Sequence, residues 1–96
     1  MNKFKIIVEG KNFNILIENA VQKCGFFTTR FVEADSLDSA ENTALDLIRE
    51  ELKGMVLNEE DDPPSLFFDQ IEEIKSFGDH QVPGTGFTWY LDNQNE

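Results

Sequence analysis

The spacing of apolar residues changes period along the chain, and each change marks an element. Lys3 to Glu9 alternates at its start and closes on the β-branched run Ile6-Ile7-Val8, the pattern of a strand. Gly10-Lys11-Asn12 supplies turn chemistry and Phe13 to Glu18 alternates again, so these residues predict a hairpin. In its second strand Phe13, Ile15 and Ile17 point one way, and Asn14, Leu16 and Glu18 the other. A helix over Asn14 to Cys24 competes, because Leu16, Ala20, Val21 and Cys24 also fit helical spacing. Asn19 to Gly25 reads as a connection. Phe26 to Ala34 then reads as a central strand, rich in the aromatic and β-branched residues that suit a pleated surface. Its two faces are Phe26, Thr28, Arg30, Val32 and Phe27, Thr29, Phe31, Glu33. Both carry aromatic rings, whereas a strand with one wet face alternates cleanly.

The period next lengthens to between three and four residues. Leu37, Ala40, Ala44, Leu47, Ile48 and Leu52 form the stripe of an amphipathic helix over Leu37 to Lys53. Asp38, Glu41, Asp46, Arg49, Glu50 and Lys53 fall mostly on its other side. Asp35 and Ser36 are suited to cap its start, and Gly54 stands where a left-handed residue ends a helix. At about 1.5 Å per residue the helix is long enough to cross four or five strands. Met55-Val56-Leu57 is expected to tuck under its end, and Asn58 to Ser65, with two prolines, is a loop. Leu66 to Ile74 fits a strand or a helix. The strand is preferred, since a helix with phenylalanine on so many sides is hard to bury on one sheet face. Turn formers fill Gly78 to Gly86, and Phe87 to Leu91 is the last strand, with Phe87, Trp89 and Leu91 opposite Thr88 and Tyr90. The polar tail, 92–96, is expected to fray. The expected architecture is a single α+β domain over 1–96: a mostly antiparallel four- to five-stranded sheet, β-β-β-α-β-β, with one long helix packed on one face.

Charge narrows the function classes. Residues 1–32 carry five basic and two acidic side chains, and residues 33–96 carry three basic and seventeen acidic ones, for a total of −11. Nucleic-acid binding needs clustered Lys and Arg against phosphate, so neither nucleic acid nor an anionic membrane is an expected partner. A basic protein partner suits the acidic half. The lone Cys24 has no internal disulfide partner, and the run Ile6-Ile7-Val8 is too short for a signal-peptide core. The expected setting is cytoplasmic.

The reactive side chains do not assemble into a site. His80 is the one histidine and reads as a loop residue beside Asp79, and Cys24 reads as a small apolar core residue. Glu59-Glu60-Asp61-Asp62 lacks the alternate ligands and central glycine of a calcium loop, and one Cys with one His cannot close a zinc site. Gly84-Thr85-Gly86 leads into a strand, which marks a turn and not a phosphate loop. No catalytic residue, metal or cofactor is expected, and the protein is read as a non-enzyme.

The surplus of aromatics is the remaining signal. Nine Phe, one Trp and one Tyr occupy both faces of several strands, while one helix covers one face. The second face then needs a chain segment, a second copy or a partner. Phe27, Phe31, Phe67, Trp89 and Tyr90 are the candidate apolar interaction residues, and Glu59, Glu60, Asp61 and Asp62 the candidate acidic ones. The expected function is a non-catalytic protein-interaction or self-associating module, most simply a homodimer. An acidic inhibitor, immunity-type or antitoxin-like protein that binds a basic partner is the alternative. A small-ligand binder, with a pocket between helix and sheet near Arg30, His80 and Trp89, is a second alternative. Across 26–52 the order of strand, Ser/Asp cap and alanine-bearing helix resembles HicB-like antitoxin domains, a resemblance of element order that carries no site residue with it.

Overall fold

A computed structural model describes residues 1–92; of the tail expected to fray over 92–96, Asp92 is held by its N–H donating to Lys23 O at 2.9 Å, and the rest lies outside the described residues. The elements are β1 (Asn2–Ile17), β2 (Ala20–Ala34), α1 (Leu37–Leu52), β3 (Ser65–Ile74) and β4 (Thr88–Leu91). The strands form one antiparallel sheet in the order β3-β1-β2-β4, with α1 against one face. The α+β class, the single helix, and strands at 65–74 and 88–91 agree with the apolar pattern.

The first two predicted strands are one. Gly10-Lys11-Asn12 is a bulge inside β1, where pairing with β2 jumps from Gly10–Phe26 to Phe13–Cys24. Asn12, at φ 64°, absorbs the extra length. The turn lies further on, at Glu18-Asn19, whose φ values of 51° and 70° match the left-handed pair of a type I′ hairpin. Residues 19–25 are therefore turn and strand, not a connection, and the competing helix over Asn14 to Cys24 is excluded. The bulge also changes parity. Phe4, Ile6 and Val8 share the helix-facing side with Phe13 and Ile15, which an unbroken strand would send to the opposite side. Gly10 is needed for space: a Cβ there would overlap the Phe26 ring and lie 2.7 Å from Phe13 Cε2.

From β2, Cys24, Phe26, Thr28, Arg30, Val32 and Ala34 face the same side and are buried. Ser36 caps α1, its Oγ accepting from the Ser39 N–H at 3.2 Å, and Ala40, Ala44, Ile48 and Leu52 press onto the sheet. Gly54, at φ 82°, follows the helix end as expected. At the far end of the core Phe13, Phe26, Phe87 and Trp89 pack at centroid distances of 4.7 to 6.4 Å. Such pairs contribute about 0.5–1.5 kcal/mol each beyond burial.

The helix thus covers the face that carries Phe26 and Arg30. The opposite face receives the link from β3 to β4, which must pass from one sheet edge to the other. It does so over the Phe31 end. The Phe77 ring meets Phe31 edge-on at 6.2 Å and His80 stacks on it at 4.4 Å. The Phe31 N–H then donates to Pro83 O at 2.9 Å along the edge of β2.

Gly10→Ala should cost about 1–3 kcal/mol of stability, because Phe26 and Phe13 have nowhere to move. Gly25→Ala should cost less, since the ring its Cβ would meet is the half-exposed Tyr90, free to swing outward. Urea unfolding of the two variants compares them, and equal losses would contradict this account of Gly10.

Candidate interaction face and the buried ion pair

Arg30 is completely buried, and each of its five N–H groups has an acceptor. Nη1 and Nη2 fork onto Glu51 Oε2 and Oε1 at 2.6 and 3.2 Å, and also donate to Gly84 O and Gly86 O at 3.2 Å each. Nε donates to Thr28 Oγ1 at 3.0 Å, whose hydroxyl donates to Gly86 O at 2.7 Å. The Gly86 N–H donates back to Glu51 Oε1 at 3.0 Å, and the Phe87 ring lies 5.4 Å from the guanidinium carbon. Gly84 and Gly86, at φ 90° and 86°, are the turn formers of the 78–86 loop, and their left-handed backbone turns two carbonyls toward the cation. The hydrogen bond from Arg30 holds the Glu51 carboxyl below its ordinary range, against a smaller upward push from burial. This cluster joins β2, α1 and the 84–87 turn. It has no spare donor for a ligand.

Glu51 went unread in the sequence, although a signal was present. It stands three residues after Ile48 and seven after Ala44, on the buried stripe and not opposite it. Arg30 likewise falls on the same strand face as Phe26 and Val32. Two opposite charges on two facing apolar stripes mark a buried pair.

The candidate apolar residues divide between the two faces. Trp89 belongs to the helix-side aromatic cluster, and Phe31 is only 6% exposed under the crossover. Phe27, Phe67 and Tyr90 remain together on the open face at 39, 49 and 37% exposure. Glu9 lies between them, opposite Phe27 on β2 and Phe67 on β3. It accepts a 2.6 Å hydrogen bond from the Tyr90 hydroxyl. That bond is the main cause that pushes the Tyr90 phenol up to about 12, with burial and the charges of Glu9 and Asp92 adding to it. The ring lies over Gly25, where no side chain intervenes, and 5.9 Å from Phe27.

Strand alternation places Lys3, Lys5, Lys11 and Lys23 on this open face with Glu9, Glu33, Glu72 and Asp92. Lys5 faces Glu72 across β1 and β3, Lys3 pairs with Glu33 at 3.7 Å, and Lys11 lies 5.9 Å from the Phe67 ring centre. These four positive and four negative strand charges cancel, and the link that crosses the face adds Lys75 and Asp79, one of each sign.

The acidic loop is tethered. Asn58 accepts from the Asn14 N–H and donates to Asn12 O and Asp62 O, each at 2.8 Å. Asp62 accepts from Asn12 Nδ2 at 2.8 Å and pairs with Lys23 at 3.5 Å. The Asn12 amide first, and the Lys23 charge second, lower its carboxyl from the usual range. Glu59, Glu60 and Asp61 are left exposed on the turn. Cys24 is buried, and burial pushes its thiol up. Arg30, His80 and Trp89 share no cavity: His80 stacks on the opposite sheet face from the other two. Among the described residues no group of three His, Cys, Asp or Glu side chains is placed to hold a metal ion, and no helix is long and apolar enough to cross a membrane.

Compared with protein-family models, curated proteins and solved structures, the chain matches none of them.

Removing the Glu51 charge leaves a buried cation uncompensated, which generally costs about 3–5 kcal/mol. Glu51→Gln should therefore lower the urea midpoint severely. The wild-type contribution requires ionised Glu51, whose folded pKa is depressed, so it is fully present above the ordinary pKa of 4.5 and is lost as pH falls below that. Stability measured from pH 7 to pH 3 should show this loss in the wild type and a shallower slope in Glu51→Gln. Parallel slopes would remove Glu51 as the source.

Proposed function

We propose that this chain is a non-catalytic interaction module that self-associates through its open sheet face. The supporting observation is the charge layout around Phe27, Phe67 and Tyr90. The solvent side of α1 and its end carry Asp38, Glu41, Asp46 and Glu50 against Arg49 and Lys53, and the 59–62 loop adds four more acids, so these surfaces stay net acidic and two copies repel when either approaches its like. The open face is the neutral one, and its lysines and acids alternate across neighbouring strands. A two-fold interface brings each patch against its own copy, and a surface bearing both signs can satisfy that arrangement where a single-sign surface cannot. The exposed rings supply the apolar contact, and aromatic residues are the enriched anchors of interface centres.

The tethered loop favours the acidic-inhibitor reading as a second possibility. Hydrogen bonds from Asn12 and Asn58 fix the turn that presents Glu59, Glu60 and Asp61, and a held array of acids is better suited to a basic partner than a mobile one. Such binding would weaken steeply with salt.

Light scattering across a wide protein concentration range tests the first reading. The expected mass is near twice 11.0 kDa, falling to the monomer in Phe27→Glu and Phe67→Glu with unchanged far-ultraviolet circular dichroism. A wild-type monomer at every concentration, or a dimer that both substitutions leave intact, would overturn it.

A further inference from the structure

On the helix side, between the last two turns of α1 and β3, lies a cleft of about 450 Å³. Small-molecule sites span roughly 300–1,000 Å³. Phe13, Leu45, Leu52, Val56, Leu66 and Phe68 line it, so a ligand there meets a largely apolar wall. The exceptions are Arg49 and Lys53, two of only eight cationic side chains in a chain with nineteen acids. Both are exposed, on the last turn of α1 and just after it. Arg49 makes no ion pair among the described residues. Lys53 pairs with Glu50 at 3.4 Å, but those side chains are 76% and 73% exposed, and such a pair contributes little. The other six cations are placed elsewhere: Arg30 is enclosed by its acceptors, Lys3, Lys5, Lys11 and Lys23 lie on the opposite sheet face, and Lys75 opens the link that follows β3.

We propose that the cleft binds a single-chain alkyl carboxylate, its tail against Phe13, Leu52 and Leu66 and its headgroup at Arg49 and Lys53. The charge argument is specific. A protein of net −11 repels anions over most of its surface, and the two charged side chains that line this apolar cleft are both positive. A guanidinium also matches a carboxylate bidentately, which a hydroxyl or an ammonium headgroup cannot exploit. Tail length should matter as well, since each methylene removed from water tightens binding about fourfold until the cleft is filled. Because the cleft and the open sheet face lie on opposite sides, this inference does not rest on self-association.

The experiment titrates the full chain with butyrate, octanoate and decanoate below their micelle concentrations, and with decyltrimethylammonium as the charge control. Binding is read by calorimetry and by emission of Trp89, which meets the cleft residue Phe13 edge-on at 6.4 Å. The expected result is saturable one-to-one binding of decanoate, about tenfold or more tighter than octanoate. Butyrate and the ammonium should bind at least tenfold more weakly than decanoate. Arg49→Gln/Lys53→Gln should lose tenfold or more of the decanoate affinity with circular dichroism unchanged, and Arg49→Gln alone serves if the double variant misfolds. Absence of saturable decanoate binding up to millimolar concentration would overturn the proposal. So would equal affinity for the ammonium, or an affinity that both variants leave unaltered.

Discussion

A guanidinium sealed from water can persist in a folded protein only if every donor is satisfied and its charge is answered. Arg30 meets both conditions by drawing on three separate parts of the chain. Thr28 comes from its own strand, Glu51 from the end of α1, and Gly84 and Gly86 from a turn more than fifty residues away. A carboxylate in the last turn of a helix ordinarily opposes the helix dipole, so Glu51 is placed against local preference and depends on Arg30 as much as Arg30 depends on it. The fork sets where α1 ends over the sheet. It also sets where the chain leaves the 78–86 loop, and hence where β4 joins β2.

From that geometry the division of surfaces follows. Because β4 adds to the edge opposite β3, the linking segment must cross the sheet, and it covers the end at Phe31. The other end stays open with Phe27, Phe67 and Tyr90. The molecule is accordingly elongated, 43 Å in its longest extent against 26 and 25 Å. Its surface separates into an acidic helix side and a neutral sheet side. Aromatic rings on both faces of β2 have two physical causes: a core on one side, and a partial cover plus an exposed remainder on the other.

Much of this was legible in the sequence where one interaction dominates. The stripe from Ala40 to Leu52 and the cap at Ser36 specify α1 because apolar spacing and capping act locally. Phe87 to Leu91 was readable as a strand for the same reason, whereas Leu66 to Ile74 fits both periods, and only the difficulty of burying so many phenylalanines from a helix points to the strand. The first hairpin misled because Gly10 and Asn12 are turn formers used for a bulge, and Glu18-Asn19 adopts a tight turn without a glycine. The parity switch from Ile6 and Val8 to Phe13 and Ile15 did record the bulge. Alternation already sets Trp89 opposite Tyr90 and Phe27 on the face of Phe31, but which of these rings stay exposed was not readable. It depends on where a thirteen-residue link, 75–87, passes over the sheet, and the link's own composition specifies only that it turns. Trp89 turns to the helix side by alternation, and the passage of the link separates Phe31 from Phe27, Phe67 and Tyr90 by covering it.

The span of the Arg30 cluster has a consequence for the making of the chain. Synthesis proceeds from the N-terminus at roughly 5–20 residues per second. Gly86 lies 56 positions after Arg30, so it is added about 3 to 11 s later at that pace. For that interval the newly made β1–β2 hairpin and helix carry a charged side chain at the site of their future core, with Thr28 already beside it and Glu51 the next of its partners to arrive. Contacts of such long separation slow folding, and here they also order it. Closure of the shell around Arg30 waits for two glycine carbonyls added more than fifty residues after it.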